Sequence, residues 1–376
     1  MTMRILYFTH SDSPHDQRFL KAMVMSGHET YVLRLTPLTD SERQIPGVHE
    51  IEWSGCPKKM SFTDIPRIVK QVKRIIRENH PDVVHAGPIQ GPAYLAALSH
   101  AKPLLSMSWG FDLMKIADKN ALTRLITRYT IRHSDMLAVD CQAVKNEAIK
   151  FGADPGKIVA FPWGVDLDAF SPLAGNDKGK QIRQQLGWDE QFIILGTRAW
   201  EPMYGMTVLA EAFVIAANQE PRLRMVLLGE GSQEASIRSI LEEGNVMDRV
   251  WFGGMVKQAD LPGYYCAADL YVSPSHVDGS SISLLEALAC GRPVVVSDIP
   301  GNQEWIEQDH TGWLFDDYDT EALSKCIIDS VGSSRLEEMG LNARDLAETR
   351  ADWQKSVKLL IKTYKKVAQK RSHYEN

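Results

Sequence analysis

A chain of 376 residues is long for one hydrophobic core and comfortable for two. With 44% hydrophobic and 24% charged residues it has the make-up of a folded globular protein, which excludes a disordered or collagen-like chain. The net charge of −6 is uneven: residues 1–170 carry 21 Lys and Arg against 18 Asp and Glu, the remainder 21 against 30. No nucleic-acid partner is expected, because that would call for a concentrated basic face, although the front half could meet something anionic. The five cysteines (Cys56, Cys141, Cys266, Cys290, Cys326) are odd in number and form no C-x-x-C pair, the pattern of reduced thiols in a cytosolic protein. The opening MTMRILYFTH is too short in apolar run for a signal peptide, and no window has the apolar length of a membrane span. A cytoplasmic protein follows as the expectation, at most peripheral on the cytoplasmic face of a membrane.

In chain order, residues 5–8 read as a buried strand, followed by a polar loop over 9–15, a helix from 16 to 25 closed by Gly27, and a second strand over 29–35. Helix and strand then keep alternating: helix 65–78, strand 82–85, helix 93–99, strand 103–108, helix 122–132, strand 136–139, helix 143–151 and strand 158–160. Such repeated units with apolar strands imply a parallel sheet covered on both faces. Residues 171–180, SPLAGNDKGK, are polar, contain Gly and Pro, and read as an interdomain linker. A fresh series begins with strands at 192–195, 225–228, 250–252, 270–272 and 294–296, and the last helix, 352–369, is amphipathic and basic. The expected fold is therefore α/β, with two doubly wound domains, 1–170 and 171–351, and a C-terminal helix that packs back on the first. Ligand is expected between the domains at strand C-termini.

The stretch 271–304, YVSPSHVDGSSISLLEALACGRPVVVSDIPGNQE, is a strand, a small-residue loop, a helix and a second strand. Its loop, Asp278-Gly279-Ser280-Ser281, lets a backbone approach a ligand closely, and the helix that follows offers unpaired N–H groups and a partial positive charge at its start. That combination suits a phosphate or diphosphate.

The run Asp278-x7-Glu286 followed by Ala287-Leu288-Ala289-Cys290-Gly291-Arg292-Pro293-Val294-Val295 resembles glycosyltransferase family 4. FPWGVDLDAFSP within 154–172, Leu228-Gly229-Glu230-Gly231, and the stretch 250–270 with its YY-containing helix match in the same order, so the resemblance covers nearly the whole chain. It implies a GT-B fold of two Rossmann-like domains and transfer of a sugar, with retention, from a nucleotide-diphosphate donor, most simply a UDP-sugar. The acceptor would be a glycan or lipid-linked molecule in cell-surface polysaccharide or glycoconjugate synthesis. The resemblance assigns Glu286 to the ribose hydroxyls, Asp278 to the transferred sugar, the N–H groups of Gly279, Ser280, Ser281 and Ile282 to the β-phosphate, and Met255 and Val256 to the base. Arg198 would pair with the diphosphate and stabilise the departing charge, so Arg198 and Asp278 are the candidate catalytic residues. Other readings stand beside these: Ser283-x-x-Glu286 has capping-box spacing, and Asp278 before Gly279 is a turn-forming pair.

Several positions depart from the family. Tyr204-Gly205 stands where a Lys-Gly is usual, so Tyr204 contributes no charge, or is simply a packed loop aromatic. Trp109-Gly110-Phe111-Asp112 stands where His-Gly-x-Asp is usual, placing an apolar wall beside the sugar. The first loop holds His15 and Asp16, either of which could touch acceptor or donor sugar or cap the following helix, Asp16 particularly. His15, Asp16, Trp109 and Asp112 are the candidate acceptor-side residues. No His/Cys/Asp cluster has metal-ligand spacing, and neither metal nor other cofactor is expected. Basic stretches 58–77 (Lys58, Lys59, Arg67, Lys70, Lys73, Arg74, Arg77) and 115–132 (Lys115, Lys119, Arg124, Arg128, Arg132) read either as solvated faces or as an anionic-membrane contact near a lipid-linked acceptor. A non-catalytic sugar-nucleotide-binding subunit is the alternative function. A dinucleotide oxidoreductase is disfavoured, since no G-x-G-x-x-G follows the first strand.

Overall fold

The computed structural model describes residues 2–36, 45–53 and 61–370. It divides into two compact units, one made of the chain up to Phe161 together with the residues from Lys355 onward, the other of Pro162–Gln354. The first unit holds seven strands, β1 (Arg4–Thr9), β2 (Glu29–Arg34), β3 (Val48–Glu50), β4 (Val83–Ala86), β5 (Leu104–Met107), β6 (Met136–Val139) and β7 (Ile158–Ala160), in the order β3-β2-β1-β4-β5-β6-β7. The second holds β8 (Phe192–Gly196), β9 (Leu223–Leu228), β10 (Val250–Gly254), β11 (Leu270–Ser273), β12 (Val294–Ser297) and β13 (Gly312–Phe315), in the order β10-β9-β8-β11-β12-β13. Every pairing between these strands is parallel. The chain reverses direction across the sheet between β1 and β4 and between β8 and β11, and the carboxyl ends at such switch points are where doubly wound sheets hold ligands. Two Rossmann-like parallel sheets make this a GT-B fold.

Central strands such as Ile5–Phe8 and Val294–Val296 are apolar throughout because helices cover both faces of the sheet. In the second unit, one face packs Ile194, Phe213 and Leu227, the other Ile193, Leu195 and Tyr271. Two strands have no counterpart in the sequence expectations, β3 and β13, and both lie at sheet edges. Val48-His49-Glu50 is largely exposed and so lacks the apolar run of a central strand, whereas β13 opens on Gly312 but buries Trp313 and Phe315.

The stretch expected to be a linker is helical. Ser171 caps the helix Pro172–Leu186 by accepting from the Ala174 N–H, Pro172 sits at its first turn, and Gly187 closes it in the left-handed conformation. The glycines that suggested flexibility serve close packing instead. A Cβ on Gly179 would lie 2.8 to 3.0 Å from backbone atoms of Cys266 and Ala267, and one on Gly175 would meet the Cys266 thiol. The boundary between the two units accordingly falls at Phe161/Pro162, ahead of the helix, and not at 170/171.

The C-terminal helix Trp353–Ala368 contributes Tyr364 to the core of the first unit, where its hydroxyl meets His85 Nδ1 at 2.6 Å. His85 lies in β4, fully buried against Tyr7 and Phe19, with Nε2 facing the Met107 sulfur at 3.2 Å. Burial lowers its pKa to about 3. The folded protein therefore keeps His85 neutral, while the unfolded chain takes up a proton below about 6.5. Stability from this site is present above that pH and is lost as pH falls toward 3, by about 1.4 kcal/mol per unit. Urea unfolding of wild type and His85→Gln between pH 7 and 4 should show the variant losing about one proton's worth of this slope; equal slopes would contradict it.

Candidate functional site

The loop after β11 carries Asp278, Gly279, Ser280 and Ser281 into the helix Ile282–Ala289. Ser281 occupies the N-cap position with no side-chain cap, so the first-turn N–H groups are left for other acceptors. Beside them, just past the end of β8, sits Arg198, with a side chain only 13% exposed. Its Nη1 donates to Ser281 Oγ at 2.9 Å and Ser283 Oγ at 3.1 Å, and Ser283 Oγ in turn accepts from the Tyr271 hydroxyl at 2.8 Å. Nη2 lies 2.7 Å from Asp278 Oδ2. That contact is close in distance but lacks hydrogen-bond alignment, since Asp278 Oδ2 has no hydrogen-bond partner; the other carboxylate oxygen, Oδ1, accepts from the Gly279 N–H at 3.1 Å. Arg198 Nε, also buried, has no partner either. Burial raises the Asp278 pKa, and Arg198 only partly offsets it.

Tyr204 lies under this guanidinium, 4.1 Å from ring centroid to Cζ. Where a lysine would add charge, this chain presents an aromatic face to the arginine. Gly205 makes that placement possible, since its φ is +64° and a side chain there would collide with the Pro274 carbonyl and with His276 Cε1.

Glu286 is 6% exposed, and its Oε2 accepts from the Tyr265 hydroxyl at 2.9 Å. The capping-box reading does not fit, because the N-cap is Ser281 and not Ser283. Of the residues assigned to the base, Met255 points its side chain into solvent at 70% exposure and Val256 packs against the core. Tyr265, Tyr271 and Ser283 were missed in the sequence; the paired tyrosines 264–265 inside a recognised motif were the one available signal.

In the first unit, the rings of His15 and Trp109 come together beyond the ends of β1 and β5, with centroids 5.3 Å apart. Asp16 and Asp112 are different. Asp16 is 2% exposed; it completes a capping box with Ser13 and accepts from the Tyr7 hydroxyl at 2.9 Å. Asp112 is fully buried and accepts four hydrogen bonds, from Ser108 Oγ and the N–H groups of Trp109, Leu113 and Ile89. Both carboxylates are thus committed to local structure, Asp16 to the capping role the sequence offered for it and Asp112 to the loop after β5. Lys58, Lys59 and Cys56 lie outside the described residues. Among the described residues, no three His, Cys, Asp or Glu gather as a metal site, and no helix is long and apolar enough to cross a membrane.

The family model Glycosyltransferase Family 4 matches residues 17–169, and Glycosyl transferases group 1 matches residues 178–345. The chain belongs to the family 4, group 1 glycosyltransferases. A D-inositol 3-phosphate glycosyltransferase of Kineococcus radiotolerans is 31% identical over 48% of this chain and 44% of its own length. The chain spans about half the length of such curated relatives. A phosphatidyl-myo-inositol mannosyltransferase of Mycobacterium leprae is 25% identical over 85% of this chain and 82% of its own. The crystal structure of Anabaena HepE in complex with UDP-glucose superposes with a TM-score of 0.80 at 18% identity, covering 99% of this chain and all of that one, which shows the shared GT-B fold. The first match covers the first sheet from β2 onward and the second match covers all of the second sheet, and the Arg198–Glu286 cluster lies wholly in the group 1 segment.

Proposed function

We propose that the second unit binds a nucleotide-diphosphate sugar and that the chain transfers its sugar, with retention, to a hydroxyl of a glycan or lipid-linked acceptor. The observation that carries this reading is the buried Arg198, aimed with the uncapped first turn of the helix Ile282–Ala289 at one place, with Glu286 further along the same helix. A diphosphate answers the arginine and the N–H groups, and a ribose answers the carboxylate. UDP is taken as the nucleotide, the one bound in the Anabaena structure.

In the proposed step the acceptor oxygen bonds to the anomeric carbon on the face from which the diphosphate leaves. The bond from that carbon to the diphosphate oxygen breaks, and the departing phosphate takes the acceptor proton. Arg198 and the first-turn N–H groups stabilise the charge that develops, so the scheme assigns no residue to a metal ion. Because the contact of Asp278 with Arg198 is unaligned, a diphosphate can replace it and free the Asp278 carboxylate to accept from hydroxyls of the transferred sugar. His15 and Trp109 are assigned to the acceptor side, with Trp109 as an apolar platform.

Melting temperature with UDP, GDP and their sugars, followed by donor turnover with and without EDTA, tests the reading. Stabilisation by UDP-sugars and EDTA-insensitive release of UDP is the expected result. Stabilisation by GDP-sugars alone would change the nucleotide, and nucleotide binding without turnover on any acceptor would overturn the transferase.

The first unit is further proposed to rest on anionic lipid. The helix Ile65–Asn79 buries Ile68, Val72 and Ile75 and turns Arg67, Lys70, Lys73, Arg74 and Arg77 outward. The helix Ala121–His133 exposes Leu122 and Leu125 among Arg124, Arg128 and Arg132. Flotation should recover the protein with phosphatidylglycerol-containing vesicles in a salt-sensitive way, and less of a Leu125→Asp variant. Equal recovery with neutral vesicles, or none, would remove this surface.

A further inference from the structure

We infer that Tyr265 is a positioning residue for Glu286, holding the carboxylate in the orientation that reads the ribose; the inference rests on the donor reading proposed above. The neighbouring tyrosines of the helix Leu261–Ala267 have separate duties. Tyr264 stacks on Trp251 with centroids 5.6 Å apart and stays half-buried, whereas Tyr265 is fully buried. The Tyr265 ring packs between Phe170 and Tyr271, at 6.1 and 5.8 Å. A phenylalanine would fill that space as well, so packing alone accounts for the ring and not for its oxygen.

The oxygen has three neighbours: Glu286 Oε2 at 2.9 Å, the Ser283 carbonyl at 3.2 Å and Thr197 Oγ1 at 3.3 Å. A phenol has one proton to give, and the nearest acceptor, an anion, takes it. Thr197 then donates to Tyr265 Oη. Burial, and next the charge of Glu286, raise the phenol pKa well above its ordinary value, so the donor persists wherever the protein is folded. The helix that carries Tyr265 is itself held against Pro172–Leu186 by the absence of side chains at Gly175 and Gly179. Moreover, Ser283, whose carbonyl faces Tyr265, is the residue whose hydroxyl holds Arg198. That hydroxyl therefore lies next to the groups assigned to the ribose and to the diphosphate, with its proton committed to Glu286.

Tyr265→Phe deletes that hydroxyl and keeps the ring. Calorimetric titration of wild type, Tyr265→Phe, Glu286→Gln and the double variant with UDP and with 2′,3′-dideoxy-UDP tests the inference. Tyr265→Phe should weaken UDP about tenfold and the dideoxy ligand far less, the loss expected for one hydrogen bond to a charged group. The double variant should bind UDP no more weakly than Glu286→Gln alone, and with a UDP-sugar the change should fall on KM more than on kcat. Thr197→Val, which removes the neighbouring hydroxyl, is the milder variant should Tyr265→Phe fold poorly, and it should shift in the same direction. If Glu286→Gln discriminates between the two ligands while Tyr265→Phe weakens both equally or adds fully to Glu286→Gln, the positioning role is overturned and the ribose reading stands. If Glu286→Gln itself weakens both ligands equally, the ribose reading falls and takes the inference with it.

Discussion

A buried guanidinium must be surrounded by groups that answer its charge, or the fold would be better off without it. Arg198 has Asp278 for charge, Ser281 and Ser283 for directed hydrogen bonds, and the face of Tyr204 beneath it. The partners arrive from two segments of the second unit. Ser281 and Ser283 open the helix after β11, Asp278 comes from the loop before it, and Tyr204 comes from the turn after β8 that Gly205 allows. The order β8-β11 at the switch point brings these segments side by side. Topology, loop chemistry and electrostatics thus converge on one cation, and the remainder of the site is arranged around it.

The partners also differ in how firmly they hold. The serines donate and accept in aligned geometry, and Ser283 is itself fixed by Tyr271. Asp278 is close but unaligned, and the carboxyl suffers from its burial. In the proposed function an anionic ligand takes the place of Asp278 beside Arg198, while Ser281 and Ser283 keep their bonds to the arginine. The site can be rigid where it positions the cation and exchangeable where it meets the ligand.

Much of this was legible in the sequence, for identifiable reasons. Apolar runs bounded by Gly and Pro marked most strands, the edge strands β7 and β10 among them. The short, exposed β3 and the four-residue β13, Gly312–Phe315, had no counterpart in the sequence reading. Gly175 and Gly179 misled: in sequence they look like flexible punctuation, and only the partner helix shows that they are contact points. Glu286 and Asp278 were marked by a motif at the start of a helix, and Arg198 by the family resemblance alone. Tyr265, Tyr271 and Ser283 did not stand out, since a buried hydroxyl looks like any core or turn residue until its acceptor is known. Asp16 and Asp112 were the reverse case. Asp16 takes the capping role the sequence offered beside ligand contact, while Asp112, placed on the acceptor side by the family pattern, is occupied by groups from as far away as Ile89.

The central claim is that Arg198 meets a diphosphate. Calorimetric titration of wild type and Arg198→Gln with UDP and with uridine tests it most directly. Losing a charge-assisted contact to phosphate costs about 1.5–3 kcal/mol, so UDP should bind roughly ten- to a hundredfold more weakly to the variant while uridine binds as before. Unchanged UDP affinity, or an equal loss for uridine, would contradict it.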